Sequence, residues 1–141
     1  MARIFWDTNL FLYLFEHNAE WSNRVIEFRK RMLARRDDLL TSYLTLGEAL
    51  TKPREAGDKV LEKSYVNFFV NGRMELIPFE LEAAKRYADI RSRERIRPVD
   101  AIQLACAAAA KTDLFVTNDN RLAGMVVPGI TFITGIERIP Y

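Results

Sequence analysis

The chain has 141 residues and a net charge of +2, with 49% hydrophobic and 28% charged side chains, one histidine and one cysteine. That length suits one domain with helices on both faces of a sheet, and the near-neutral balance excludes a protein that seizes nucleic acid or membrane by bulk charge alone. Cys106 has no partner for an intrachain disulfide and suits a reducing cytoplasm; the short apolar N-terminal run, broken by Asp7, fits neither a signal peptide nor a membrane span.

Arg3-Ile4-Phe5-Trp6 is apolar on both faces, the mark of a strand buried on both sides in a parallel sheet, and it stops at Asp7-Thr8-Asn9. A helix is expected from Asn9 to His17. A second, Ala19 to Arg36, places Trp21, Val25, Phe28 and Met32 at helical spacing, with its arginines around the rest of the surface. A strand over Leu39–Ser42 leads to a short helix, Leu44–Leu50, that carries Glu48 and is stopped by Pro53. Leu61, Tyr65, Phe68 and Phe69 mark the next helix, ending at Asn71-Gly72. A strand over Met74–Ile77 precedes an amphipathic helix, Leu81–Arg93, with Ala84, Tyr87, Ala88 and Ile90 inward. Pro98 opens an alanine-rich helix, Val99–Lys111, apolar all round and therefore buried. Strands over Leu114–Thr117 and Ile130–Thr134 complete the set, the first followed by a turn at Asn118-Asp119-Asn120. Strands alternating with helices predict a parallel α/β sandwich in a single domain.

The acids sort by which end of an element they occupy. Asp7 and Asp119 follow their strands and belong to the carboxyl edge, where open α/β sheets bind ligands. Asp37, Asp38 and Asp113 fall at the opposite edge. Asp100 lies in the first turn of the alanine helix, and Glu48 on the helix just after the second strand, both reached from the carboxyl edge. Each has an ordinary alternative: a helix cap for Asp7, a first-turn charge for Asp100, a turn for Asp119, a solvated helix position for Glu48. Together they predict a site, because several carboxylates held close need raised pKa values or a cation. Oxygen ligands without a His or Cys cluster suit Mg²⁺ or Mn²⁺.

Asp7-Thr8-Asn9, Leu46-Gly47-Glu48-Ala49-Leu50, Pro98-Val99-Asp100-Ala101-Ile102-Gln103 and Val116-Thr117-Asn118-Asp119 stand in the order of four motifs, and in them the chain resembles the PIN-domain family, in size its VapC-like toxins. The resemblance implies a PIN domain over 1–141, a three-layer sandwich whose central five-stranded parallel sheet is flanked by helices. It also implies Mg²⁺-dependent endoribonuclease activity, with Asp7, Glu48, Asp100 and Asp119 catalytic and metal-binding and Asn9 and Thr117 assisting. Divalent ions on such a quartet engage a scissile phosphate and acidify a water for in-line attack. A homodimer and a cognate antitoxin protein are implied partners, with RNA the substrate and no membrane involved.

RNA needs positive charge beside the acids. Arg95 and Arg97, just before Pro98, and Lys52 and Arg54, just after Glu48, are the candidates; solubility charge is their alternative. His17 is expected in solvent, Cys106 in the core, and Ser42 lacks a histidine base. The aromatic residues Trp21, Tyr65, Phe68 and Phe69 are candidates for an interface, with core burial the alternative. Two other functions fit the pattern less well. A haloacid-dehalogenase-like phosphatase or receiver domain wants a second acid where Asn9 stands, and a lysine partner; a non-catalytic PIN-like binding module need not retain every acid. Repulsion within the quartet predicts that Asp7→Asn and Asp100→Asn leave the metal-free fold equally or more stable.

Overall fold

Five strands form where the apolar runs predict them: β1 Arg3–Trp6, β2 Asp38–Ser42, β3 Glu75–Ile77, β4 Thr112–Thr117 and β5 Ile130–Gly135. All pair in parallel in the order β3-β2-β1-β4-β5, so β1 is central and the direction of winding reverses between β1 and β4. The computed structural model describes residues 1–139; the last two residues of the expected 1–141 domain lie outside them. The helices are α1 Thr8–Phe15, α2 Ser22–Arg35, α3 Tyr43–Glu55, α4 Lys59–Asn71, α5 Leu81–Arg93 and α6 Pro98–Ala109, with a 3₁₀ turn at Ile136–Arg138.

Strand alternation divides the core into two faces and makes three layers. Ile4, Trp6, Leu39 and Val116 point to one side, where Leu10 and Phe11 of α1, Val25, Phe28 and Met32 of α2, Ala49 of α3 and Phe69 of α4 cover them. Phe5, Leu40, Phe115 and Ile133 point to the other, against Ala83 and Ile90 of α5 and the alanines of α6. Phe5 lies opposite Phe115 in register, and their rings stack at 5.1 Å. Burying one such side chain is worth about 1.5–3 kcal/mol, which fixes register because a one-residue slip would turn every one of them to the wrong face. The small side chains of α6 let it lie close to the sheet. Gly129, at φ 99°, enters β5 beside the end of α6, where a Cβ would fall 2.7 Å from the Ala108 carbonyl oxygen.

Several local expectations need correction. α3 does not stop at Leu50 but runs to Glu55 with Pro53 buried inside it. The proline removes one hydrogen bond, yet the Ala56 and Asp58 N–H groups donate to the Lys52 and Pro53 carbonyls and close the final turn from beyond it. Ala88 is exposed; the inward stripe of α5 is Ala83, Tyr87 and Ile90, which keeps the helical period better. Asn71-Gly72 does end α4, though Gly72 has an ordinary φ of −77° and is required because a Cβ would collide with the Phe68 carbonyl. Trp21 precedes α2, half-buried and stacked on Tyr13. Phe69 is fully buried, and Tyr65 stacks on Phe15 at 4.4 Å, so those aromatics serve mainly the α1–α4 packing; Phe68 is 39% exposed. At the amino edge, Asp37 and Asp113 accept the Ala2 and Arg3 N–H groups at 2.8 and 2.7 Å, tethering the start of β1. No helix among the described residues is long and apolar enough to cross a membrane.

Candidate active site

The site is built outward from Asp7, where β1 gives way to α1. Its N–H continues the ladder to the Val116 carbonyl, and one carboxylate oxygen caps α1 by accepting the Thr8 N–H at 2.9 Å. The other oxygen accepts the Thr117 hydroxyl at 2.7 Å. Asp7 is buried, and burial holds its carboxyl above the usual range. The bonds from Thr117 and Thr8 oppose that shift, and the nearby charges of Asp100 and Glu48 reinforce it.

Thr117, expected to assist, therefore touches Asp7 directly and also accepts the Asp119 N–H at 3.0 Å, joining the ends of β1 and β4. Asn9 accepts the Asn118 N–H at 3.3 Å across the same two ends. Glu48 stands exposed on α3, and its Oε1 accepts the Thr8 hydroxyl at 2.6 Å. Asp100 is buried in the first turn of α6, and Asp119 is half-buried after β4. All four acids and Asn9 line one cleft of about 210 Å³ at the carboxyl edge.

Two arginines clamp two of these acids. Arg97 forks onto Asp100, Nε to Oδ2 at 3.0 Å and Nη2 to Oδ1 at 3.2 Å. Arg121 forks onto Asp119, Nε to Oδ1 at 3.0 Å and Nη2 to Oδ2 at 2.7 Å, holding Asp119 below the usual carboxylate range. Arg97 also reaches Asp119 at 3.8 Å, and Arg121 reaches Asp100 at 3.9 Å. Arg95 is exposed and, with Arg97 and Arg121, lines a broader neighbouring groove of about 670 Å³. Lys52 and Arg54 do not line the cleft; Lys52 pairs with Glu16 at 2.7 Å and Arg54 with Glu62.

Beneath the acids lies a polar layer that reading the sequence missed. The buried Gln103 amide donates toward Thr45 at 2.8 Å, Thr8 at 3.1 Å and Asp7 at 3.4 Å, while its oxygen accepts the Ser42 hydroxyl. The signal was a lone glutamine in an otherwise apolar helix, since a buried amide must find partners. Arg121 was also missed, although its spacing of two residues from Asp119 was in plain view. Ser42 caps α3 and binds Gln103, which leaves it no role as a nucleophile. Among the described residues no lysine lines the cleft, whereas the phosphatase-like arrangement calls for one. His17 is exposed, and burial pushes the Cys106 thiol up to about 11, far from reactive.

The donor set fits a hard divalent ion: every acid offers oxygen, and the buried Asp7 has two like charges near it whose ionised forms favour a cation. Among the described residues, however, no three acidic, histidine or cysteine side chains converge tightly enough to grip an ion as they stand. Arg97 and Arg121 occupy the oxygens of Asp100 and Asp119 instead.

A family model described as the PIN domain matches residues 4–126. Among solved structures, a DNA-bound VapBC from Salmonella typhimurium is 21% identical, with a TM-score of 0.74 over 96% of this chain and 99% of that one. VapBC2 from Rickettsia felis, bound to a promoter DNA fragment, is 20% identical, with a TM-score of 0.70 over 94% and 97%. A toxin–antitoxin complex from Klebsiella pneumoniae is 20% identical, with a TM-score of 0.63 over 92% and 95%. At these identities the likeness is one of fold. No protein of curated function matches the sequence significantly.

Proposed function

The chain belongs to the PIN-domain family, and from that premise we propose that it is a metal-dependent endoribonuclease, the VapC-like toxin of a toxin–antitoxin pair, with the PIN unit occupying 1–141. The observation that carries the reading is the convergence of Asp7, Glu48, Asp100 and Asp119 on one cleft at the point where strand order reverses. These four residues would hold Mg²⁺ or Mn²⁺, which when bound supplies charge to a phosphate oxygen and acidity to a water. Thr117 and Thr8 fix the Asp7 carboxylate, and the Thr8 hydroxyl holds Oε1 of Glu48. Gln103 ties α1, through Thr8, to α3, through Thr45, from below. Among the described residues no imidazole lines the cleft, and its carboxylates are the groups available for acid–base work.

Full-length protein incubated with total RNA should generate internal cuts with Mg²⁺ or Mn²⁺ and none with chelator. Cleavage that persists in chelator would overturn the metal dependence, and none under any condition would overturn the nuclease and favour a non-catalytic module. Arg95 and Arg97 are proposed to meet the RNA backbone; Lys52 and Arg54, engaged by Glu16 and Glu62, rank behind them. A single phosphate contact from Arg95 predicts that Arg95→Ala flattens the slope of log affinity against log salt by about 0.7. An unchanged slope in a filter-binding series would return Arg95 to solubility charge.

The toxin assignment draws on the solved structures of like fold, which are toxin–antitoxin complexes. The partners proposed here are a cognate antitoxin and a second copy of the chain, in the cytoplasm. An adjacent reading frame for a small DNA-binding protein supports the first, and sedimentation as monomer alone at micromolar concentration would remove the second.

A further inference from the structure

We propose that Arg97 and Arg121 are a displaceable counter-charge of the acidic quartet. They hold Asp100 and Asp119 in the metal-free protein. When a divalent cation takes those carboxylates, they are released into the adjoining groove to bind a phosphate of the RNA strand. This rests on the metal-dependent ribonuclease reading and adds a role for two residues outside the quartet.

The geometry is one of exchange rather than scaffolding. The two forks and the two crossing contacts, 3.8 and 3.9 Å, make one cluster of two guanidiniums and two carboxylates whose charges cancel. That cancellation gives the quartet a cation already, and an incoming ion must compete with it for the same oxygens. Neither arginine is needed to shape its segment. The turn after β4 is closed by the Leu122 N–H donating to the Asp119 carbonyl at 3.0 Å, and Asp100 is placed by α6 itself. Both side chains are well exposed, 58% and 62%, and so can swing without opening the core. Both also line the groove that carries Arg93 and Arg95, which gives the released forks a neighbouring basic surface. A guanidinium fork facing a carboxylate cannot face a phosphate with the same two N–H groups, so occupancy of one excludes the other. A strand carrying phosphates toward uncompensated acids would be repelled; arginines freed as the cation binds remove that penalty at the moment it arises.

The test measures Mn²⁺ binding to full-length wild type, Arg97→Gln, Arg121→Gln and the control Arg95→Gln, from the paramagnetic resonance of free Mn²⁺. Exchange predicts that Arg97→Gln and Arg121→Gln each bind Mn²⁺ about threefold to tenfold tighter. Arg95→Gln, which removes one charge from the same groove but pairs with neither acid, should change far less. At saturating Mn²⁺ the two variants should also show a raised KM for RNA with a smaller change in kcat. Equal or weaker Mn²⁺ affinity in both variants, with wild type binding normally, overturns the exchange and leaves the nuclease standing. An equal gain in Arg95→Gln overturns it in favour of a general field, and an unchanged KM overturns the phosphate contact. Wild type that takes up no Mn²⁺ overturns both the exchange and the reading beneath it. Melting curves of the four proteins in chelator accompany the titration; an unfolded Gln variant is replaced by Arg→Lys at the same position, which keeps the charge, loses the fork and is expected to fall between wild type and Gln.

Discussion

Asp7→Asn is expected to abolish RNA cleavage while leaving the metal-free protein as stable as before, or more stable by roughly 2–4 °C. The loss of activity follows from removing the buried quartet member that is joined to β1, α1 and β4 at once. A cation's contribution to such a transition state is several kcal/mol, so the rate should fall on the order of 10³-fold or more. Stability moves the other way because the ionised carboxylate is buried and has Asp100 and Glu48 near it, which lifts its folded pKa above the unfolded value. Such a group is harmless to the fold below the ordinary aspartate range and becomes a cost as pH rises through its raised value. Asparagine keeps the oxygen that caps α1 and carries no charge. In chelator, the melting gap between Asp7→Asn and wild type should therefore be absent in acid, open with rising pH and then level off. Excess Mg²⁺ should reverse its sign by stabilising wild type alone. A variant less stable than wild type at neutral pH in chelator would mean that Asp7 is a cap and nothing more.

Asp100→Asn is expected to abolish cleavage to a similar extent but to lower the metal-free melting point by roughly 2–4 °C. Repulsion within the quartet alone predicts no loss, as for Asp7. The difference is that Asp100 already has a counter-charge: Arg97 forks onto it and Arg121 lies 3.9 Å away. It also stands in the first turn of α6, where a negative charge is worth about 0.3–1 kcal/mol. Neutralising it strands the Arg97 fork and gives up the helix-end term, which together outweigh the relieved repulsion with Asp7. Mg²⁺ should then stabilise wild type and not the variant. Scanning calorimetry of both variants, with and without chelator, separates the two acids. If Asp100→Asn melts at or above wild type in chelator, the arginine clamp does not form in solution.

The sheet and its edges were legible because parallel strands buried on both faces must be written as short apolar runs, and Asp7 and Asp119 could be placed at one edge from strand direction alone. The length of α3 was not, since Pro53 is an interior position only by virtue of its burial and the bonds that close beyond it. Nor was the layer of Thr8, Thr45 and Gln103 legible. Its members are 37 to 95 residues apart, and a threonine in a helix pattern looks alike whether it meets water or a carboxylate. Arg97 was noticed for its charge and assigned outward to RNA, whereas in the structure that charge turns inward to Asp100. Net charge by segment gives no direction to a side chain; only the closeness of two acids does.

The order of the strands also sets a timetable. A chain leaves the ribosome N-terminus first, so Asp7, Glu48 and Asp100 are all in hand well before the sheet can close. β1 has β2 on one flank but an open edge on the other until β4 docks, and Asp119 is carried just behind β4. The fourth strand to arrive thus fills the gap beside the first and delivers the fourth carboxylate in the same event. Cleavage by a nascent chain halted before Thr112 would contradict this. Under the proposed ribonuclease function, a stalled or clipped product ending short of β4 lacks the fourth carboxylate and is expected to be inert, with activity beginning only once β4 can dock.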